Sequence, residues 1–296
     1  MSYNKSFLSG IVSLVAATLV ISSCQKMERP PLKLVLDPDP PTYNPLKSFM
    51  AFENNLNDMG ESKFTGAPTN ISYVAGINGQ ALKIGADGYL LVKGNDTVVY
   101  PNGYRGMSLD TMKNLGSFTL SFWMKGVGPV TGGAQGIFSI SNKTQFWGNL
   151  DLFLENYDNA ADPNAAHLKI HMFNDNVSGG GEEWTAGDEM KLPNTLNKWT
   201  HIALTYDAAT SKFVVYKDGG SVVNKTLGGG TYGKVKFANV NGMVIGTHQF
   251  QTTPSLTDSH GAETWAKSFN GALDQFRLYN RALSTTEITS LFTNKE

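Results

Sequence analysis

Short alternations of apolar and polar residues recur from about residue 47 to the end of the chain, separated by clusters of Gly, Asn and Asp. In GSFTLSFWMKG, every second residue from Phe118 to Met124 is apolar, which is the pattern of a strand with one buried face. KWTHIALTYD alternates in the same way through Ile202, Leu204 and Tyr206. The pattern predicts roughly a dozen short strands in antiparallel order.

The segment KFVVYKDGGSVV has the pattern of a β-hairpin. Asp218 and Gly219 supply the positive φ angles that two-residue connections between antiparallel strands prefer. Many short strands with tight turns indicate a sandwich of two antiparallel sheets rather than an α/β fold.

The end of the chain combines a strand with the start of a helix. Ser284 and Glu287 have the spacing of a capping box. Leu283 and Ile288 occupy the positions of a hydrophobic staple around it. The pattern therefore predicts one short helix over residues 285–292.

Asp274 interrupts the apolar pattern of the predicted last strand. With strict alternation, it lies on the same face as Phe276 and Leu278. An unpaired buried carboxylate is costly, so we expect a cation, a metal ion or several N–H donors beside it. Without a metal, the partners would be Arg277, Arg281 or backbone N–H groups.

The first residues have the pattern of an export signal, with Lys5 followed by an apolar run over residues 7–21. The run is shorter than the roughly 20 residues of a membrane-spanning helix. VISSC resembles a bacterial lipobox, which implies cleavage before Cys24 and lipidation of its thiol. Cys24 is the only cysteine, so a single chain has no disulfide. We expect residues 1–23 to be a lipoprotein signal peptide.

Residues 24–46 are predicted to form a lipid-anchored linker, because prolines crowd this stretch and favour extended, semi-rigid chain. The folded domain is then expected over residues 47–296. QKME after Cys24 partly resembles the surface-export signal of Bacteroidetes lipoproteins. The sequence thus predicts an outer-membrane lipoprotein and favours exposure at the cell surface.

Charge excludes one class of partner. Lys and Arg number 24 against 25 Asp and Glu, for a net charge of -1, so no broad basic surface for nucleic acid is expected. The Gly-rich stretches lack phosphate-loop spacing, so no nucleotide site is expected either.

The stretches NKWTHIALTYDAATSKFVVYKDGGSVV and FNGALDQFRLYNRALSTTEITSLF resemble laminin-G-like members of the concanavalin A-like lectin/glucanase superfamily. The resemblance implies an all-β, antiparallel two-sheet jelly-roll sandwich with a short C-terminal helix. It also implies a binding or accessory module of extracellular proteins, although the fold alone does not specify a function.

A structural Ca²⁺ is one hypothesis for Asp274. FENNLND crowds oxygen donors where many relatives have Asp-Gly-Asn in place of Glu53, Asn54 and Asn55. The first and last strands of a jelly roll commonly lie side by side, and calcium takes about six to eight oxygen ligands. Glu53 or Asp58, with Asn55 and Asp274, would then hold the ion.

Catalysis on this fold is expected to show the Glu-x-Asp-x-(x)-Glu pattern of its glucanases, which this chain lacks. Glu155 and Asp158 have the wrong spacing, and the acids of GEEWTAGDE are interpreted as solvated loop residues. We therefore predict no catalysis, with a glycoside hydrolase or lyase as the less favoured alternative.

Four long polar segments are expected to be loops, and three of them contain a tryptophan: Trp147, Trp184 and Trp265. Sugars pack their C–H faces on aromatic rings, so these residues are candidates for binding an extracellular glycan. Each tryptophan could instead anchor its own loop on the sandwich. The alternative function is an adhesion or assembly module that binds a surface protein.

Overall fold

The computed structural model describes residues 44–94 and 109–296, and within these ranges the regular secondary structure is almost entirely β. The strands are β1 (Leu46–Met50), β2 (Thr65–Ala75), β3 (Gln80–Lys93), β4 (Phe118–Gly126), β5 (Ala134–Ile140), β6 (Leu150–Leu154), β7 (Ala166–Asn174), β8 (Gly181–Thr185), β9 (Lys191–Leu192), β10 (Thr200–Asp207), β11 (Lys212–Lys217), β12 (Gly220–Thr226), β13 (Met243–Ile245), β14 (Ala266–Ser268) and β15 (Gly271–Tyr279). The helices are α1 (Asp110–Lys113) and α2 (Thr285–Thr293), with 3-10 turns at Asp188–Met190, Leu227–Gly230 and Gln249–Gln251. The predicted signal peptide, Cys24 and the linker up to residue 43 lie outside the described residues.

The strands form one curled, sandwich-like sheet in the order β12-β11-β10-β4-β15-β3-β13-β5-β6-β7-β8. Pairing is antiparallel throughout these neighbours, and β14 adds a short parallel pairing to β5. The long strand β3 pairs with β15 near its start and with β13 near its end, so it connects the two halves. The predicted all-β jelly-roll sandwich is confirmed.

The core lies between the two halves of the curled sheet. The alternating residues of β4 and β10 enter it from one half, and Leu152 of β6 and Ile170 of β7 enter it from the other. Phe276 of β15 contacts Phe138 of β5 across the interior, with 5.2 Å between ring centroids. Burial of these side chains is the main stabilising contribution to the sandwich.

The hairpin and the closing helix form as predicted. Asp218 and Gly219 connect β11 to β12 with φ angles of 49° and 78°. Ser284 caps α2 in a complete capping box with Glu287. Leu283, Ile288 and Leu291 pack with residues of β10 and β11, so α2 covers the outer face of that half of the sheet. In the described part of the chain, no helix has the length and apolar character needed to cross a bilayer.

Strict alternation in β15 was the wrong expectation. The pairing of β15 with β4 shifts register between Asp274 and Arg277, and Gln275 has a φ of 52°. This bulge inserts one residue, so Leu273 and Phe276 both enter the core, whereas Asp274 lies on the other face. Asp274 therefore does not share an apolar face with Phe276.

Candidate functional site

Three tryptophans from separate segments meet on the outer face of one half of the sheet. Trp147 lies in the loop between β5 and β6, Trp184 lies on β8, and Trp265 directly precedes β14. The ring centroid of Trp147 is 5.2 Å from that of Trp184 and 6.0 Å from that of Trp265. We call these three residues, together with Phe146, the aromatic cluster. Its members remain partly accessible, and Trp265 is 38% exposed.

Strand alternation places a layer of side chains beneath the aromatic cluster. Leu152 of β6 enters the core, so its neighbours Asp151 and Phe153 face outward. The ring of Phe153 lies under Trp147 with a centroid distance of 5.3 Å and an interplanar angle of 6°. The outward-facing side chains are nevertheless buried, because the loops cover them.

His248 completes this layer as an uncharged aromatic ring. It stacks on Phe250 with 5.1 Å between ring centroids and also contacts Phe153. Burial lowers the pKa of His248 to about 4. The ring is therefore neutral at neutral pH and packs as an apolar group.

The 3-10 helix Gln249–Gln251 holds the two loops that carry the aromatic cluster. The amide of Gln249 makes three hydrogen bonds of 2.7–2.8 Å to the backbone of residues 142–146. The amide of Gln251 makes three of 2.7–3.0 Å to the backbone of residues 263–266. Between them, Phe250 stacks on Phe146 at 4.5 Å. One short helix thus positions the loops of Trp147 and Trp265 relative to each other.

A chain of polar side chains runs from the sheet to the rim of the aromatic cluster. Ser139 donates to Asp151 Oδ1 at 2.6 Å, and the other Asp151 oxygen is 3.1 Å from His171 Nδ1. His171 Nε2 lies 3.3 Å from Glu182 Oε1, which also accepts a hydrogen bond of 3.1 Å from Trp184 Nε1. Asp151 and His171 are buried, whereas the side chain of Glu182 is 57% exposed. These linked contacts orient the side chains of Glu182 and Trp184 together.

A cleft of about 160 Å³ opens beside the aromatic cluster. Its lining residues are Asn142, Gln145, Phe146, Trp147, Gly148, His171, Phe173 and Glu182. A larger groove of about 710 Å³ lies on the other half of the sheet, beside α2. Tyr216 is the only aromatic residue among its described lining residues, and the Arg281–Glu287 ion pair also lines it. The smaller cleft is the better candidate site, because it combines aromatic rings with amide and carboxylate groups.

The residues of the calcium hypothesis are only partly brought together. β1 pairs with β15, as expected for the first and last strands. Asp274 Oδ2 accepts backbone N–H groups of Ile77 and Asn78 at 2.8 Å and 3.3 Å. Glu53 accepts the N–H of Gln80 at 2.9 Å, at the other end of the same loop.

Burial raises the pKa of Asp274 to about 6, although the backbone N–H groups that it accepts act in the opposite direction. The negative charge of Glu53 also raises this pKa, which indicates that the two carboxylates are close. Both carboxylates accept N–H groups of residues 77–80, and carboxylate oxygens are the ligands that a hard cation such as calcium takes. Among the described residues, Asp274 is bonded to backbone N–H groups, which was one of the metal-free alternatives. Arg277 bonds to Gln275 and Arg281 pairs with Glu287 instead.

Asp58 and Asn55 have local structural roles. Asp58 accepts backbone N–H groups of Phe49, Gly60 and Phe64 at 2.7–2.9 Å and so closes the turn after β1. Asn55 is exposed and bonds only to the nearby main chain among the described residues. Within residues 44–94 and 109–296, no three acidic, His or Cys side chains form a metal-binding group. Calcium binding therefore remains a prediction, with Glu53 and Asp274 as its fitting ligands.

Comparison with family profiles gives a match to Laminin_G_3 of the concanavalin A-like lectin/glucanases superfamily, over residues 101–289. The chain belongs to this superfamily. A comparison with curated protein sequences found no match.

Several solved structures similar to this laminin-G-like domain come from botulinum neurotoxins. One is the binding domain of botulinum neurotoxin DC in complex with rat synaptotagmin II, with a TM-score of 0.52 and 16% identity over 84% of this chain and 51% of that one. Another is a structure of botulinum neurotoxin type C, whose cell entry depends on two ganglioside molecules, with a TM-score of 0.53 and 13% identity over 85% and 51%. The chain spans about half the length of these toxin domains.

A third similar structure is domain 4 of AbnA, a GH43 extracellular arabinanase from Geobacillus stearothermophilus, in complex with arabinotriose. The TM-score is 0.50 and the identity 19%, over 83% of this chain and 97% of that domain. At these identities the similarity shows a shared fold alone.

Sequence reasoning selected the three tryptophans of this laminin-G-like domain but missed Glu182 and His171. The stretch with Glu182 was expected to be a loop, whereas GEEWT forms the edge strand β8. Its register pairs His171 with Trp184, which brings these two residues and Glu182 to one face. The alternation of Glu182 and Trp184 was the only signal in the sequence, and it is short.

Proposed function

We propose that this chain is a non-catalytic carbohydrate-binding protein of the cell envelope that binds an extracellular glycan at the aromatic cluster. The observation that carries the proposal is the convergence of Trp147, Trp184 and Trp265 beside a cleft with amide and carboxylate groups. Aromatic rings pack against the C–H faces of sugars, and the polar groups bind hydroxyls. The similar arabinanase domain in complex with arabinotriose supports this choice of ligand class.

A binding role without catalysis is supported by the state of the acids beside the cleft. Asp151 is 2% exposed, and both of its oxygens are engaged by Ser139 and His171. Glycoside hydrolysis needs two carboxyl groups on either side of the scissile bond. Among the described residues that line the cleft, Glu182 alone supplies an exposed carboxylate.

We also propose that Cys24 carries the lipid that anchors the protein in the outer membrane. Residues 24–43 would then separate the sandwich from the bilayer, and the lipobox-like VISSC supports this arrangement. Metabolic labelling with a fatty acid is expected to mark the wild type and not the Cys24→Ala variant. Labelling of both proteins would contradict the anchor.

A glycan-binding screen with the full-length protein tests the binding function. Trp184→Ala and Trp265→Ala are expected to weaken binding about tenfold each, because each removes a ring from the platform. Trp199→Ala is the control, since Trp199 precedes β10 and makes no ring contact with the cluster among the described residues.

The outcomes of the screen distinguish the alternatives. Binding of no glycan would contradict the proposal and favour a protein partner on the same loops. Release of shortened sugars from a bound glycan would contradict the non-catalytic role. Equal loss in the Trp199 variant would place the site elsewhere.

A further inference from the structure

The charged groups that line the cleft are His171 and Glu182, and Asp151 lies directly behind them. With His171 neutral, the three groups sum to two negative charges. With His171 protonated, they still sum to one. The cleft is therefore negative in either protonation state of the histidine.

Nearby cations have other partners. Lys169 pairs with Glu155 at 3.3 Å, and Lys143 lies 3.6 Å from Asp258. Lys225 reaches β8, where its amine donates to the main-chain carbonyl of Trp184 at 2.8 Å. No lysine or arginine is among the described lining residues of the cleft. The negative charge of Glu182 is thus available to a ligand.

Glu182 is held in a fixed position with one oxygen free. Its Oε1 is close to both Trp184 Nε1 and His171 Nε2. Its Oε2 accepts no hydrogen bond from the residues that the structure describes. A carboxylate oxygen and indole rings together form the surroundings that bind an ammonium group, by ion pairing and by cation–π attraction.

The rings of the aromatic cluster meet at steep angles beside the cleft that Glu182 also lines. Trp147 and Trp184 are inclined at 83°, and Phe146 is inclined at 89° to Trp147. Rings at right angles form a corner rather than a flat surface. A corner suits a compact charged group as well as the face of a sugar ring.

We propose that this cleft recognises oligosaccharides that carry protonated amines, such as 2-amino-2-deoxyhexoses, and discriminates against sugars with carboxylate or sulfate groups. Glu182 is the residue that determines this specificity. The inference rests on the proposed glycan-binding function and names the class of glycan.

Isothermal titration with three oligosaccharides of equal length tests the inference on the full-length protein. The probes are β-linked glucosamine, its N-acetylated counterpart and an oligogalacturonate, at a mildly acidic pH at which the amines are protonated. The amine form is expected to bind most tightly, and added salt should weaken its binding more than that of the neutral form. The oligogalacturonate is expected to bind least.

Glu182→Gln is the decisive variant, because glutamine keeps an oxygen that can accept the Trp184 hydrogen bond. It is expected to weaken binding of the amine form about tenfold, and by a clearly larger factor than it weakens binding of the N-acetylated form. Glu183→Gln is the matched control: it removes the same charge from the alternate face of β8, where Glu183 accepts the N–H of Gly228.

The possible results separate this inference from the broader function. Equal affinity for the amine and N-acetylated forms, or equal loss of both in Glu182→Gln, would overturn the inference and leave glycan binding standing. Tightest binding of the oligogalacturonate would overturn it as well. If no sugar binds in the glycan screen or in the titrations, the proposed function fails, and the inference fails with it.

Discussion

At the scale of single residues, burial keeps two histidine rings uncharged. His201 of β10 is buried on the sheet face that α2 covers, with Nε2 2.8 Å from Ser121 Oγ, and burial together with the charge of Arg277 lowers its pKa to about 4. His248 has a pKa of about 4 for the same main reason. Asp274 has the opposite behaviour, because its pKa is raised to about 6.

These shifts predict a loss of stability in acid. Unfolded histidine takes up a proton near its ordinary pKa of 6.5, whereas the folded rings do so only near 4, so stability falls as the pH decreases between these values. Each ring accounts for about 3 kcal/mol over the whole window. Asp274 opposes them, because its folded-state proton contributes stability at low pH that is lost as the pH rises toward 6.

Urea unfolding at pH values from neutral to mildly acidic measures this balance. The net loss in free energy of unfolding is expected to be about 3 kcal/mol by the acidic end of the window. His201→Gln should make the profile shallower, and Asp274→Asn should make it steeper. A flat profile in the wild type would contradict the assignment of both histidines.

The hydrogen bonds of Asp58 predict a second effect of a single residue on stability. Asp58→Ala leaves the buried N–H groups of Phe49, Gly60 and Phe64 without their acceptor. The expected loss in free energy of unfolding is about 2 kcal/mol, by chemical denaturation. Asn57→Ala is the control, because its exposed side chain can be removed at little cost. Equal effects of the two variants would show that Asp58 does not hold the turn.

At the scale of elements, the 3-10 helix Gln249–Gln251 determines how the two aromatic loops meet. Gln249 is fully buried, and its amide is bonded to main-chain groups of one loop. Gln251 performs the same role for the other loop. The site thus depends on an element that contains none of its tryptophans.

Substitutions in this helix are expected to separate the two loops. Gln249→Ala should destabilise the fold by about 1–3 kcal/mol and weaken glycan binding, because it leaves buried backbone groups unpaired. Gln251→Ala should chiefly change the surroundings of Trp265. Tryptophan fluorescence measured with Trp265→Phe as the reference background distinguishes the two. Unchanged emission in both variants would contradict the role of this helix in positioning the two loops.

At the scale of the whole molecule, β1 and β15 pair the first described strand with the last. The loop after β2 adds a second connection, since its backbone N–H groups bond to Asp274 and its end bonds to Glu53. A cation between these carboxylates would act on the closure of the entire sandwich rather than on one loop.

Thermal melts with calcium and with a chelator test the calcium hypothesis. If Glu53 and Asp274 bind the ion, calcium should raise the melting temperature of the wild type and of Asp58→Ala, but not that of Asp274→Asn. Identical melting temperatures in calcium and chelator would contradict the metal site. In that case the backbone donors alone account for the burial of Asp274.

Local signals in the sequence predicted much of the fold. The Asp218-Gly219 turn, the Ser284–Glu287 capping box and the alternation of β4 each depend on neighbours a few residues away. The strand order, in contrast, depends on pairings between residues far apart in the sequence. Only the superfamily resemblance implied the jelly roll. The resemblance also implied the pairing of first and last strands that the structure has.

Local patterns predicted many of the strands, the Asp218-Gly219 turn, the capped helix and the three tryptophans as candidates, because side-chain period and turn chemistry act over short distances. The folded chain was needed to show the bulge at Gln275, the strand that carries Glu182 and the meeting of the tryptophans around Trp147. Each of these depends on which residue of a distant strand supplies the hydrogen-bond partner. One inserted residue reverses every side chain beyond it, and no local pattern marks where that happens.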